Sequence, residues 1–164
     1  MVGCQGLASG AGIYLGALLG AGKLEQAKSD ATAVFKATLL IAAIGGVLIL
    51  IARPLLTDLV ELTAQAREYL GIMLIIMAGH TVTKAVNILI SNGINCSGGD
   101  TLFGLLCDTI ALWGVMVPVG CLCAFVWKLP PMWVYGILCL DELVKIPFMY
   151  GRYKTYRWVQ NITK

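Results

Sequence analysis

Five apolar runs, each long enough to cross a bilayer, follow one another along the chain with short connections between them. They cover about residues 2–19, 34–52, 69–90, 102–126 and 132–150. The hydrocarbon core of a membrane takes about 20 apolar residues of helix. Inside it every backbone N–H and C=O must find its partner within the segment, so continuous runs of this length are helices. Strands of an outer-membrane barrel would alternate apolar and polar positions, and these runs do not. The chain therefore reads as all-α: an integral membrane helical bundle of about five transmembrane helices, one domain over residues 1–164.

Composition closes the other routes. Hydrophobic residues make up 59% of the chain and charged ones 13%, with a mean hydropathy of +0.83. An ordinary soluble domain carries about 25% charged residues, and a chain of this size has too much surface for so few charges to cover. A soluble enzyme, a disordered chain and a disulfide-stapled secreted domain are all excluded. The net charge of +3 is small and scattered, so no nucleic-acid partner is expected. Cys4, Cys96, Cys107, Cys121, Cys123 and Cys139 lie mostly within apolar runs and form no paired CxxC pattern. They read as small packing residues, and neither a metal site nor a cofactor is expected. No basic segment precedes the first apolar run, which argues against a signal peptide. Met1 leads straight into a membrane-like segment, as at a start inside a longer protein.

The connections differ in character. Gly20-Ala21-Gly22 breaks the first span, and Lys23 to Lys28 resumes as a charged helical turn leading into the second. Arg53-Pro54 stops the second span. Leu55, Leu56, Leu59 and Leu62, interleaved with Thr57, Asp58 and Glu61, predict a short amphipathic helix at the interface. Ser97 to Thr101 is a tight turn in which Asp100 or Thr101 is placed to cap the next helix. Lys128 to Pro131 makes a short hairpin. One side of the membrane receives Lys23, Lys28, Arg152, Lys154, Arg157 and Lys164, and the other Arg53, Arg67 and Lys128. Six basic residues against three put the C-terminal tail in the cytoplasm. Trp127 and Trp133 near one boundary, with Tyr150, Tyr153, Tyr156 and Trp158 near the other, fit aromatic belts.

Polar residues inside the spans are few. His80, Lys84, Asn87 and Ser91 fall at helical spacing, forming one polar stripe on the third run. A charged group at membrane depth costs at least about 2.5 kcal/mol, and faces water or a partner. Two readings stand: a cavity-lining face for a cation or substrate, or helix-bridging contacts with Lys84 paired to an acid. Asp108 on the fourth run is a candidate partner for Lys84, or a titrating group. On the fifth run Asp141, Glu142 and Lys145 are either a self-neutralising structural cluster or a proton or cation relay. Gly6, Gly10, Gly12, Gly16 and Gly20 stripe the first run, a pattern that lets a neighbouring helix approach closely. No catalytic arrangement of Ser, His, Cys or Asp is present, so the chain is not read as an enzyme.

Some of these residues resemble a known family. Leu19-Gly20-Ala21-Gly22-Lys23-x-Glu25-x-Ala27 looks like the loop after the second helix of a lobe in multidrug and toxic compound extrusion (MATE) transporters. Pro54-Leu55-Leu56 with Tyr69-Leu70 is similar to that family's next connection. Asn87 through Gly93 into Gly98-Gly99-Asp100-Thr101 resembles its "N…G…GDT" element, and Arg152 with Trp158 resembles its closing segment. The likeness covers essentially the whole chain. It departs at Cys96, where the family often has Arg, and near Ala85, where some cation-coupled members carry an Asp.

The resemblance implies that these spans are the eighth to twelfth helices of a twelve-helix antiporter, most of one C-terminal lobe. It implies Na⁺- or H⁺-driven export of drugs or organic cations, with no cofactor beyond the coupling ion. The implied partners are a small cationic substrate, the lipid bilayer, and the missing N-terminal lobe and preceding helix. The implied location is the plasma (inner) membrane. A lipid-linked sugar flippase of the same superfamily, or a transport-inactive membrane fragment, are the alternatives. Five spans supply less than one lobe, so the chain alone is not expected to transport.

Overall fold

A computed structural model of the chain describes residues 2–59 and 62–159. Glu61 and Lys164, used above in the amphipathicity and charge readings, lie outside the described residues. Five helices make up the fold: α1 (Val2–Gly20), α2 (Leu24–Leu59), α3 (Ala64–Asn95), α4 (Thr101–Val126) and α5 (Pro131–Lys154). There is no strand among the described residues. α1 to α4 are long and apolar enough to cross a membrane. α5 has the length, at 24 residues, but carries Asp141, Glu142 and Lys145 in its middle.

α3 is the hub. α2 runs along its first part, α1 crosses its last two turns, and α5 packs on another side. α4 packs along α5 and touches only the end of α3. Small residues set the close approaches. On α2 the buried face is Ala27, Ala31, Thr38, Ala42 and Gly46, spaced to lie on one side of the helix. A Cβ added to Gly46 would sit 3.0 Å from the Ala78 carbonyl of α3. Where α1 crosses α3, a Cβ on Gly12 would lie 3.2 Å from the Gly93 carbonyl, and one on Gly93 would lie 3.0 Å from that of Ala8. The crossing coincides with Leu89–Asn95, where α3 widens into a π-helical turn.

The glycine stripe of α1 is therefore only partly used. Gly12 packs on α3, and Gly16 just reaches the Ser97 carbonyl at 3.9 Å. Gly6 and Gly10 are exposed and meet nothing within 4 Å, and Gly20 ends the helix. The buried face of α1 is instead Cys4, Ala8, Ala11, Leu15, Leu18 and Leu19.

Three further expectations need correction. No separate interfacial helix follows Arg53-Pro54: α2 continues through Pro54 to Leu59. Proline removes one helical hydrogen bond and crowds the carbonyl four residues back, but its φ is helical, so the helix carries it as a local fault. Asp100 stands at the start of α4 but makes no capping hydrogen bond; its carboxylate is taken by Arg152 at 2.6 Å. Tyr153 and Trp158 are buried, not in an interfacial belt. Tyr153 stacks between Phe35 and Trp158, with ring centroids 5.9 and 6.3 Å away. Its hydroxyl meets Thr32 Oγ1 at 3.2 Å. Trp127 and Trp133, by contrast, are exposed as a belt requires.

Candidate functional site

Between the last third of α3, the first half of α4 and the middle of α5 lies a cavity of about 270 Å³. α3 contributes Lys84, Asn87 and Ser91; α4 contributes Asp108; α5 contributes Asp141, Glu142 and Lys145. Helical spacing delivers these groups. Residues 84, 87 and 91 share one face of α3, and 141, 142 and 145 one face of α5. Gly104 of α4 lets the helix pack directly against Ser91; a Cβ there would collide with Ser91 Oγ.

Lys145 is the centre of the charge arrangement. Its Nζ lies 3.1 Å from Asp141 Oδ2, 3.2 Å from Asp108 Oδ1 and 3.6 Å from Glu142 Oε2. The side chain is 10% exposed and Glu142 only 8%, whereas Asp108 is 55% exposed. Lys84 Nζ stands 4.0 Å from Glu142 Oε1, at the edge of an ion pair. Asn87 Nδ2 donates to the backbone carbonyl of Glu142 at 2.7 Å and to its Oε2 at 2.8 Å. Three carboxylates therefore face two ammoniums, which leaves one formal negative charge between the helices. Isolated charges there are strongly disfavoured; here each cation has an acid and the most buried acid has a hydrogen-bond donor.

The two readings of the α3 stripe and the α5 cluster merge at this point. Lys84 does pair with an acid, but the acid is Glu142 on α5, and Asp108 pairs with Lys145 instead. His80 does not join the cavity. Its Nδ1 lies 3.3 Å from the Cys139 carbonyl, in a separate, apolar pocket shared with Gly136, Leu140 and Leu143. Asn92, absent from the sequence reading, also lines the cavity. It sits in the π-helical widening, which brings round a residue that regular helical spacing turns away.

A second polar cluster closes the end of the bundle at the α3–α4 turn. Arg152 binds Asp100 and lies 4.8 Å over the Phe103 ring. The Trp158 backbone carbonyl rests directly on Gly98. Cys96, exposed beside this turn, has its thiol pushed above the usual range by burial and then by the Asp100 charge, which makes it a weak nucleophile. Among the described residues no group of His, Cys, Asp or Glu side chains is arranged to hold a metal ion.

A bundle of long apolar helices with a charged cavity between three of them defines a multi-pass membrane protein. A family model, MatE, matches residues 1–122. The chain belongs to this family, and its function is membrane transport of the MATE type. Neither the curated proteins nor the solved structures contain a match.

Proposed function

We propose that the chain is part of a cation-coupled exporter of drugs or organic cations, with Na⁺ or H⁺ as the driving ion. The observation that carries this reading is the Lys145 cluster: three carboxylates and two ammoniums from three helices, lining the cavity between them. Ionisable residues inside membrane helices are rare, pair with one another, and mark substrate and ion pathways. The excess of acid suits a cationic cargo. A flippase for phosphate-linked lipids is disfavoured, because both cavity lysines are matched by carboxylates and no basic surplus remains for phosphate.

The broad apolar faces of α2 and α4 are left to lipid and to the rest of the transporter. The protein resides in the plasma (inner) membrane with the tail after α5 in the cytoplasm. A cytoplasm-dependent fluorescent reporter fused after Lys164 is bright in this topology; a dark, well-expressed fusion reverses it. The export reading is tested by drug efflux in cells lacking their own exporters, comparing the chain alone with the chain joined to its upstream coding sequence. Gradient-dependent efflux that appears only in the longer protein, and falls at least tenfold in Glu142→Gln, is the expected result. Efflux unaffected by that substitution removes the cluster from the transport cycle.

A further inference from the structure

We propose that the buried cluster carries its own cation: the Lys145 ammonium fills the seat a coupling metal ion would take, so this site binds no Na⁺. The inference rests on the transport reading above and says which coupling ion its site excludes.

The geometry around Lys145 is that of an ammonium seat. Oxygens of Asp141, Asp108 and Glu142 stand 3.1, 3.2 and 3.6 Å from Nζ. Hard metal cations such as Ca²⁺ take oxygens at about 2.3–2.6 Å, a size class to which Na⁺ also belongs. The carboxylates are spread around a larger group, and no metal-holding cluster exists among the described residues. Removing the ammonium would leave Asp141 and Glu142, at 17% and 8% exposure, without their main counter-charge. A free monovalent cation must also compete with one tethered on the same helix at high effective concentration.

A second feature says what the cavity does accept. Asn87 is 4% exposed, lines the cavity, and its Oδ1 has no hydrogen-bond partner. A carbonyl-type oxygen only accepts, so the ligand it calls for is a donor: water, hydronium or an ammonium. The volume of about 270 Å³ holds several waters at roughly 30 Å³ each. The titratable groups around the seat are Asp108 on α4, Asp141 and Glu142 on α5, and Lys84 on α3, with His80 one turn further along α3.

The experiment is thermal unfolding of the purified 164-residue chain in detergent. NaCl is titrated against choline chloride at constant ionic strength, so that screening cancels. The wild-type midpoint is expected to coincide in the two salts within about 1 °C, since a ligand of the native state would raise it with concentration. A saturable, Na⁺-specific rise overturns the proposal. In the second arm Lys145→Ala vacates the seat. Its midpoint is expected to fall and to be restored by n-propylammonium but not by Na⁺. Restoration by Na⁺, or by neither ion, overturns the proposal. If Lys145→Ala does not fold, the wild-type titration still decides. These equilibria do not depend on export, so a failed efflux assay and a failed ion titration are separate outcomes.

Discussion

Arg152 Nε donates to Asp100 Oδ2 at 2.6 Å, joining the last turn of α5 to the first residue before α4 across 52 positions of sequence. The guanidinium lies over the Phe103 ring at the same time, 4.8 Å from its centroid. Both side chains of the pair are well covered, at 23% and 16% exposure. Breaking it strands a partly buried charge, which costs about 1–3 kcal/mol. Arg152→Ala and Asp100→Asn are each expected to lower the melting midpoint by several degrees. The double variant should cost less than the two single changes added together. Arg152→Lys should recover only part, because an ammonium cannot bind the acid and stack on the ring together. Strict additivity in detergent melts would show that the contact contributes nothing.

Gly98 is the other half of this closure. A side chain there would enter the space of the Trp158 carbonyl, and since the obstacle is backbone, it cannot rotate away. Gly98→Ala should therefore release the tail and uncover Trp158, otherwise 1% exposed. The measurement is limited trypsin digestion, which cuts between Arg157 and Trp158. Cleavage in Gly98→Ala is expected to be at least tenfold faster than in the wild type. Unchanged cleavage would mean that the tail is not anchored through this contact.

The number and order of the helices were legible in the sequence because membrane crossing writes itself as length and continuous apolarity. So were the two residue sets that make the cavity, because helical spacing alone aligns Lys84 with Asn87 and Ser91, and Asp141 with Lys145. What joins the sets was not legible. Whether Asp108 meets Lys84 or Lys145 depends on the rotation of α4 about its axis, and the π-helical turns in α3 and α4 shift that rotation without any sequence signature. The helix-packing pattern misled for a related reason. Glycines stand out by eye, yet the tightest buried face on α2 is an alanine stripe ending in Gly46. Pro54 reads as a stop in sequence, but its fixed φ is itself helical and α2 runs on to Leu59.

The partial use of the α1 glycines gives a sharp contrast. Gly12 faces the carbonyls of Asn92 and Gly93 at 3.3 and 3.2 Å from an added Cβ, whereas Gly6 faces open space. Gly12→Val should force α1 off the π-helical turn of α3 and cost about 1–3 kcal/mol, the usual range for overpacking. Gly6→Ala should be neutral or stabilising by up to about 1 kcal/mol, because alanine orders the helix at no steric cost. Both are read as melting midpoints of the chain in detergent. Equal destabilisation at the two positions would contradict the crossing described.

Lys84 supplies the test of the cavity itself. Its side chain is 40% exposed and borders the polar cavity, while Val86 is buried and Val82 packs against the cluster of Cys4, Ala42 and Ala85. Helical geometry turns positions two residues apart by about 200°, so neighbours at 82 and 86 point away from the water that position 84 meets. In a background lacking the native cysteines, Lys84→Cys should react readily with a membrane-impermeant thiol reagent. Val82→Cys and Val86→Cys should react at least tenfold more slowly. Prior loss of Asp108, the most exposed acid of the cluster, should raise labelling at position 84 only modestly, because Glu142 and not Asp108 is its partner. Equal labelling at 82, 84 and 86 would mean that α3 is rotated or frayed there, and that the charges assembled around Lys145 do not share one aqueous cavity.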